Sequence, residues 1–184
     1  MNKKRFIGVS ISLVILGLIW TILTPMLFAA AQADIGRTAP HPGFIAPDFS
    51  LQTPQGETLS LADNRGQPSL VFLWASWCTV CKAAMPGLQS TYEDFAPLGF
   101  ELFAINTTFQ DSLPTAMDYY QAQGYTYPML LDRDGAVSQD YQMRAIPTSV
   151  LVGRDGEVLD VIIGAGVSEG YLRARLNDLY PEGD

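Results

Sequence analysis

Leu70-Val71-Phe72-Leu73-Trp74 is an unbroken apolar run, and Cys78-Thr79-Val80-Cys81 comes after only three residues. An apolar run this short predicts a central strand buried on both faces. Beyond Cys81 the pattern is helical: Leu88, Tyr92 and Phe95 recur at helical spacing until Pro97-Leu98-Gly99 stops the run. Pro86 falls inside that helix and predicts a kink, since a mid-helix proline removes a backbone hydrogen bond. Both cysteines of the chain therefore sit where a buried strand turns into a helix. There Cys78 lies at the helix N-terminus, where unpaired N–H groups and the helix dipole favour an anion. That lowers the thiol pKa and raises the fraction of thiolate, the attacking species. Cys81, one turn on, can displace a bound substrate and close a disulfide.

Other uses of the pair fare worse. Two cysteines are too few for a disulfide-stapled scaffold. A zinc site wants four ligands, and the only histidine, His41, lies 37 positions before Cys78 in a stretch where it reads as solvated. No metal is expected. Covalent c-type haem needs CxxCH, and Lys82 occupies the histidine position. An inert structural disulfide would close too short a loop to stabilise much. No cofactor beyond the Cys78–Cys81 couple is expected, since no Gly-rich dinucleotide fingerprint or P-loop occurs.

The rest of the body is punctuated clearly. Phe49-Ser50-Leu51 and Thr58-Leu59-Ser60-Leu61 alternate around Pro54-Gln55-Gly56, which predicts a hairpin. Phe100–Ile105 reads as a second core strand. Asp111 or Ser112 caps a helix that contains Pro114 in its first turn and ends at Gly124. A short strand at Met129–Leu131, a turn at Asp132–Gly135 and a short helix, Ala136–Gln142, come next. Thr148–Val152 and Glu157–Ile163 flank Arg154-Asp155-Gly156, a strong hairpin signal. Ser168 caps a last helix with Leu172, Leu176 and Leu179 on one face. The order hairpin, βαβα, ββα implies an α/β fold with a mixed sheet and helices on both sides.

Charge divides the chain. Lys3, Lys4 and Arg5 give residues 1–33 a charge of +3, whereas the remainder holds 8 basic and 19 acidic residues. An acidic body without a basic stripe excludes nucleic acid as a partner. Phe6 to Leu23 is uncharged and 18 residues long, close to the roughly 20 that cross a bilayer core. Residues 1–33 are therefore expected to form a signal-anchor helix through the membrane, with its basic end cytoplasmic and the body beyond. Ala31-Gln32-Ala33 also has the form of a signal-peptide cleavage site, although the apolar run exceeds the roughly 7–15 residues of such signals. On either reading the body is exported to a compartment that permits disulfides. Residues 34–46, with Gly36, Pro40, Pro42 and Gly43, are expected to be a linker, and 47–184 the folded domain.

Ala46-Pro47-Asp48-Phe49, Trp74-Ala75-Ser76-Trp77-Cys78-Thr79-Val80-Cys81, Met85-Pro86 and Ile146-Pro147-Thr148 together resemble the thioredoxin superfamily, in its membrane-anchored TlpA/ResA-like branch. The resemblance covers about residues 45–180. It implies a thioredoxin-like fold, a central mixed sheet flanked by helices, with an added N-terminal β-hairpin. It implies a cis bond at Ile146–Pro147 facing the cysteines; X-Pro is the linkage where cis costs only about 0.5–1 kcal/mol. By the same resemblance Cys78 attacks and Cys81 resolves. Trp77, Thr79 and Val80 would border the substrate on one side, and Ile146, Pro147 and Thr148 on the other. The implied activity is extracytoplasmic thiol–disulfide exchange that reduces protein disulfides, with cytochrome c maturation as a setting and a membrane electron donor as partner.

The chain departs from that pattern at three places. The family often has a buried Asp or Asn six residues before the first cysteine, where this chain has Phe72, and a Glu three after the second, where it has Ala84. A carboxylate there could accept the proton that Cys81 must lose. Its absence predicts a raised Cys81 pKa, and with it slower resolution or a proton route through water. Between the cysteines, Val80 stands where reductases of the family commonly have proline, and Thr79-Val80 fixes no redox direction. Two other functions stay open at this point. A client-binding module would use the cysteines only to trap a partner. A thiol peroxidase would need Thr and Pro where Ala75 and Val71 stand.

Overall fold

A computed structural model describes residues 38–180 of the chain. The expected anchor, the cleavage motif and the first part of the expected linker lie outside those residues. In chain order the elements are β1 (Ser50–Gln52), β2 (Thr58–Ser60), β3 (Ser69–Trp74), α1 (Thr79–Phe95), β4 (Glu101–Asn106), α2 (Leu113–Gln123), β5 (Met129–Leu131), α3 (Ala136–Asp140), β6 (Thr148–Val152), β7 (Val158–Ile163) and α4 (Glu169–Leu179). Strands β1 and β2 form the expected antiparallel hairpin. The main sheet runs β5-β4-β3-β6-β7, parallel on the β4 side of β3 and antiparallel on the β6 side. This is the mixed sheet that the element order implied.

β3 is central, and all six of its residues are buried. Alternation splits them between two apolar layers. Leu70, Phe72 and Trp74 face α1, α2 and α4, in a cluster with Cys78, Cys81, Met85, Tyr120 and Leu172. Val71 and Leu73 face the other way, with Phe103, Ile105, Phe49, Val137 and Tyr141. The three long helices thus cover one face, and α3 with the residues around the hairpin covers the other.

Local chemistry accounts for the boundaries. The Ser112 hydroxyl accepts the Thr115 N–H, making Ser112 rather than Asp111 the cap of α2, and left-handed Gly124 ends that helix. α3 stops at Asp140, short of the expected Gln142, because Gln142 has φ of 48° and cannot continue a right-handed helix. Pro86 lies within α1 without ending it. Gly87 allows α4 to close against α1, since a Cβ there would stand 2.9 Å from the Glu169 Cβ.

The stretch 39–46 is not a free tether. Gly43 N–H donates to Val158 O (3.0 Å), Val158 N–H to Phe44 O (2.7 Å) and Ala46 N–H to Gly156 O (2.9 Å). These bonds lay the segment along the outer side of β7, and Ala46 is buried. The Pro and Gly residues that suggested a linker shape its turns, while its backbone groups find partners on the sheet edge.

Candidate active site

β3 delivers the chain to the site. After Trp74 the backbone turns, Cys78 N–H donates to Ala75 O (3.1 Å), and α1 begins at Thr79. Cys78 is the N-cap residue of α1, extended at φ −81° and ψ 103°. Its Sγ accepts the N–H of Cys81 at 3.0 Å. A cap position normally filled by an oxygen is here filled by sulfur, so an N–H that has no helical partner is aimed at the atom where thiolate charge would form. Cys78 and Cys81 are joined in a disulfide, with Cα atoms 5.3 Å apart. Cys78 is 5% exposed and Cys81 fully buried, so of the two residues only Cys78 has any surface to offer a partner.

The surroundings divide into an apolar floor and a rim. Phe72, Trp74, Met85 and both cysteines share one buried cluster, against which Ala84 packs. Phe72, standing where the family often has Asp or Asn, is fully buried. Trp77 (59% exposed) and Val80 (42%) project beside the disulfide, and Thr79 is also exposed. A shallow groove runs from Val80 past Ala83, Ala84 and Gly87 to Val167.

Ile146–Pro147 is cis. Leu73 is paired with Thr148, so Ile146 and Pro147 continue β6 past its last pair, at the end of the sheet where β3 leaves for Cys78. Ile146 packs against the cluster that holds both cysteines. The Pro147 carbonyl accepts Gly164 N–H at 2.8 Å, and Thr148, buried, donates its hydroxyl to Ala145 O at 2.7 Å. Both groups thereby hold the turn in shape, and Ile146 is the member of the trio with a half-buried side chain.

The sequence did not disclose a polar brace beside the cysteines. Ser76 N–H and Oγ donate to the two oxygens of Asp111, at 2.5 and 2.6 Å. The buried Asn106 donates to the same carboxylate at 2.7 Å and Ser112 N–H at 2.8 Å. Burial pushes the Asp111 carboxyl up, but the hydrogen bonds from Ser76, Asn106 and Ser112 outweigh it and hold its pKa below the usual value. Two further bonds tie the same segments: Thr107 N–H to Trp74 O (3.0 Å) and Trp77 Nε1–H to Gln110 O (3.3 Å). The one sequence signal was Asn106, a polar residue directly after the apolar run Leu102–Ile105.

A disulfide at a strand-to-helix junction, a sulfur-capped helix and a cis-proline at the same end of a mixed sheet define a thioredoxin-like redox protein. The chain belongs to the AhpC/TSA family, whose model matches residues 42–161. Within it, the chain is similar to thiol–disulfide oxidoreductase ResA of Bacillus subtilis, at 28% identity over 98% of this chain and 97% of that one. It is also 30% identical to sporulation thiol–disulfide oxidoreductase A of the same organism, over 76% of this chain and 82% of the relative. Among solved structures, a thiol:disulfide interchange protein DsbE from Chlorobium tepidum superposes with a TM-score of 0.69 at 26% identity, covering 76% of this chain and 97% of that one. The enzyme class is therefore that of a thiol–disulfide oxidoreductase of this type, its CxxC pair at Cys78 and Cys81.

Proposed function

We propose that the protein is a membrane-tethered, extracytoplasmic reductase of protein disulfides, serving exported clients such as those of cytochrome c maturation. Cys78 attacks the client disulfide as a thiolate, forming a Cys78–client mixed disulfide and releasing one client thiolate. Cys81 then loses its proton and attacks Cys78 Sγ, which frees the second client sulfur and closes Cys78–Cys81. The two electrons that reset the pair come from a membrane donor, because the exported compartment lacks the cytosolic reducing pool. The Cys78–Cys81 pair carries both electrons. Trp77, Thr79 and Val80 border the client on the α1 side, and Ile146 with Pro147 and Thr148 borders it on the β6 side.

The observation that carries this order of attack is the contrast between the two sulfurs: Cys78 caps a helix and reaches the surface, whereas Cys81 is fully buried among apolar side chains. Burial also supports the reducing direction. An apolar pocket disfavours the Cys81 thiolate, so the reduced pair gains little from ionisation of that sulfur. The basic cluster and apolar run of residues 3–23 support the tether.

The test is the reduction potential of the full chain in detergent, equilibrated with defined thiol–disulfide buffers. A value near or below about −250 mV is expected; a value above about −180 mV would reverse the direction. In parallel, Cys81→Ser should accumulate client mixed disulfides on non-reducing gels, and Cys78→Ser should not.

A further inference from the structure

The loop that presents Cys78 contains Ser76, a residue 4% exposed whose N–H and hydroxyl both end on Asp111. Asp111 lies 35 residues away in sequence, past the end of β4, and is itself held from behind by Asn106 and Ser112. Asn106 is fully buried and paired with Trp74 in the sheet. The carboxylate thus ties the end of the central strand pair to the residue two before the reactive sulfur. Both oxygens are engaged, and hydrogen bonds to an ionised acceptor are roughly twice as strong as neutral ones.

We propose that Asp111 is a positioning residue for Cys78: through Ser76 it fixes the loop 75–78 so that Cys78 Sγ stays in line with the Cys81 N–H. The benefit falls on the reduced enzyme. Once the S–S bond is gone, the 3.0 Å contact from Cys81 N–H to Cys78 Sγ has no covalent support and depends on how well the loop is held. A loop that drifts loses the donor that stabilises the thiolate, and reactivity falls steeply with such misplacement.

This role opposes the plain electrostatic one. A carboxylate near a thiol disfavours the thiolate, so deleting the charge alone should make Cys78 more acidic. Loss of the brace should make it less acidic. Asp111→Asn is the informative change, because it keeps the shape and removes the charge that holds four donor groups together.

The experiment is the pH dependence of iodoacetamide alkylation of the fully reduced full chain, with the labelled cysteine mapped by mass spectrometry. For Asp111→Asn the midpoint for Cys78 should move to higher pH, and the rate at pH 7 should fall on the order of threefold to tenfold. Ser76→Ala removes one of the two Ser76 bonds and should shift the midpoint the same way by less. The double variant should go no further than Asp111→Asn alone. A midpoint that moves down, or stays put while the melting temperature drops, overturns the proposal. If Asp111→Asn does not fold, Ser76→Ala carries the test with the same signs. The proposal rests on Cys78 being the attacking sulfur: preferential labelling of Cys81 overturns that reading and the proposal with it, whereas an unchanged Cys78 profile overturns the role of Asp111 alone.

Discussion

The two faces of the main sheet are built to different standards of polar pairing. On the face covered by α3, the buried polar groups are matched. Asp132, the one buried carboxylate among the described residues, accepts Val137 N–H, Ser138 N–H and the Ser138 hydroxyl. Tyr141 donates its hydroxyl to Pro47 O at 2.7 Å. On the cysteine face, Trp74 Nε1, Tyr127 Oη and Ser149 Oγ are buried and find no partner among the described residues. That face is also the aromatic one, where Trp74, Tyr119, Tyr120, Tyr125 and Tyr127 meet tilted, edge to face or stacked. Rings supply bulk around the disulfide at the cost of unmatched polar tips. The lesson concerns Cys81: the fully buried carboxylate, Asp132, stands on the other side of the sheet from it.

The sharpest way to break this contrast is to put a carboxylate on the cysteine face. Phe72→Asp should lower stability by about 4 kcal/mol, since it opens a cavity and buries an unpaired acid. Urea unfolding measures the loss. The same variant should speed release of client from the Cys78 mixed disulfide, because an acceptor then lies near Cys81. Next in size, Asp132→Ala should cost about 3 kcal/mol by stranding three buried donors, with the Cys78 alkylation profile unmoved. A shift in that profile would mean the two faces are coupled.

Two tyrosine deletions refine the comparison. Tyr141→Phe removes a hydroxyl that is paired, and should cost about 1–2 kcal/mol in urea unfolding. Tyr127→Phe removes one that is not, and should raise stability, by up to about 1 kcal/mol. If both changes destabilise alike, the hydroxyl of Tyr127 has a partner such as a bound water, and the cysteine face is better paired than its side chains alone indicate.

What could be read from the sequence was local. The run from Leu70 to Cys81 located the reactive pair, because strand, turn and helix signals there lie within a dozen residues of one another. Ser112, Gly124 and the Arg154–Gly156 turn marked their elements for the same reason: caps and tight turns are decided by neighbours. What escaped notice depends on distant partners. Asp111 looked like a helix cap, yet its carboxylate answers to Ser76, 35 positions earlier. The stretch 39–46 looked like a tether because it is rich in Pro and Gly, yet its backbone is bonded to residues 156–158. The unequal burial of two cysteines three residues apart is likewise set by Phe72, Trp74 and Met85, which the fold brings together.

That bonded stretch bears on how copies of the protein tolerate one another. β7 is the last strand of the sheet, and an uncovered last strand offers unpaired N–H and C=O groups to any passing chain. Here residues 43–46 already occupy those groups at the beginning of β7. Edge-to-edge pairing of one sheet with another is therefore blocked at that corner by the protein's own chain. Trimming the protein back to residue 47 would unmask the corner and invite self-association, so residues 43–46 also serve as a guard against aggregation.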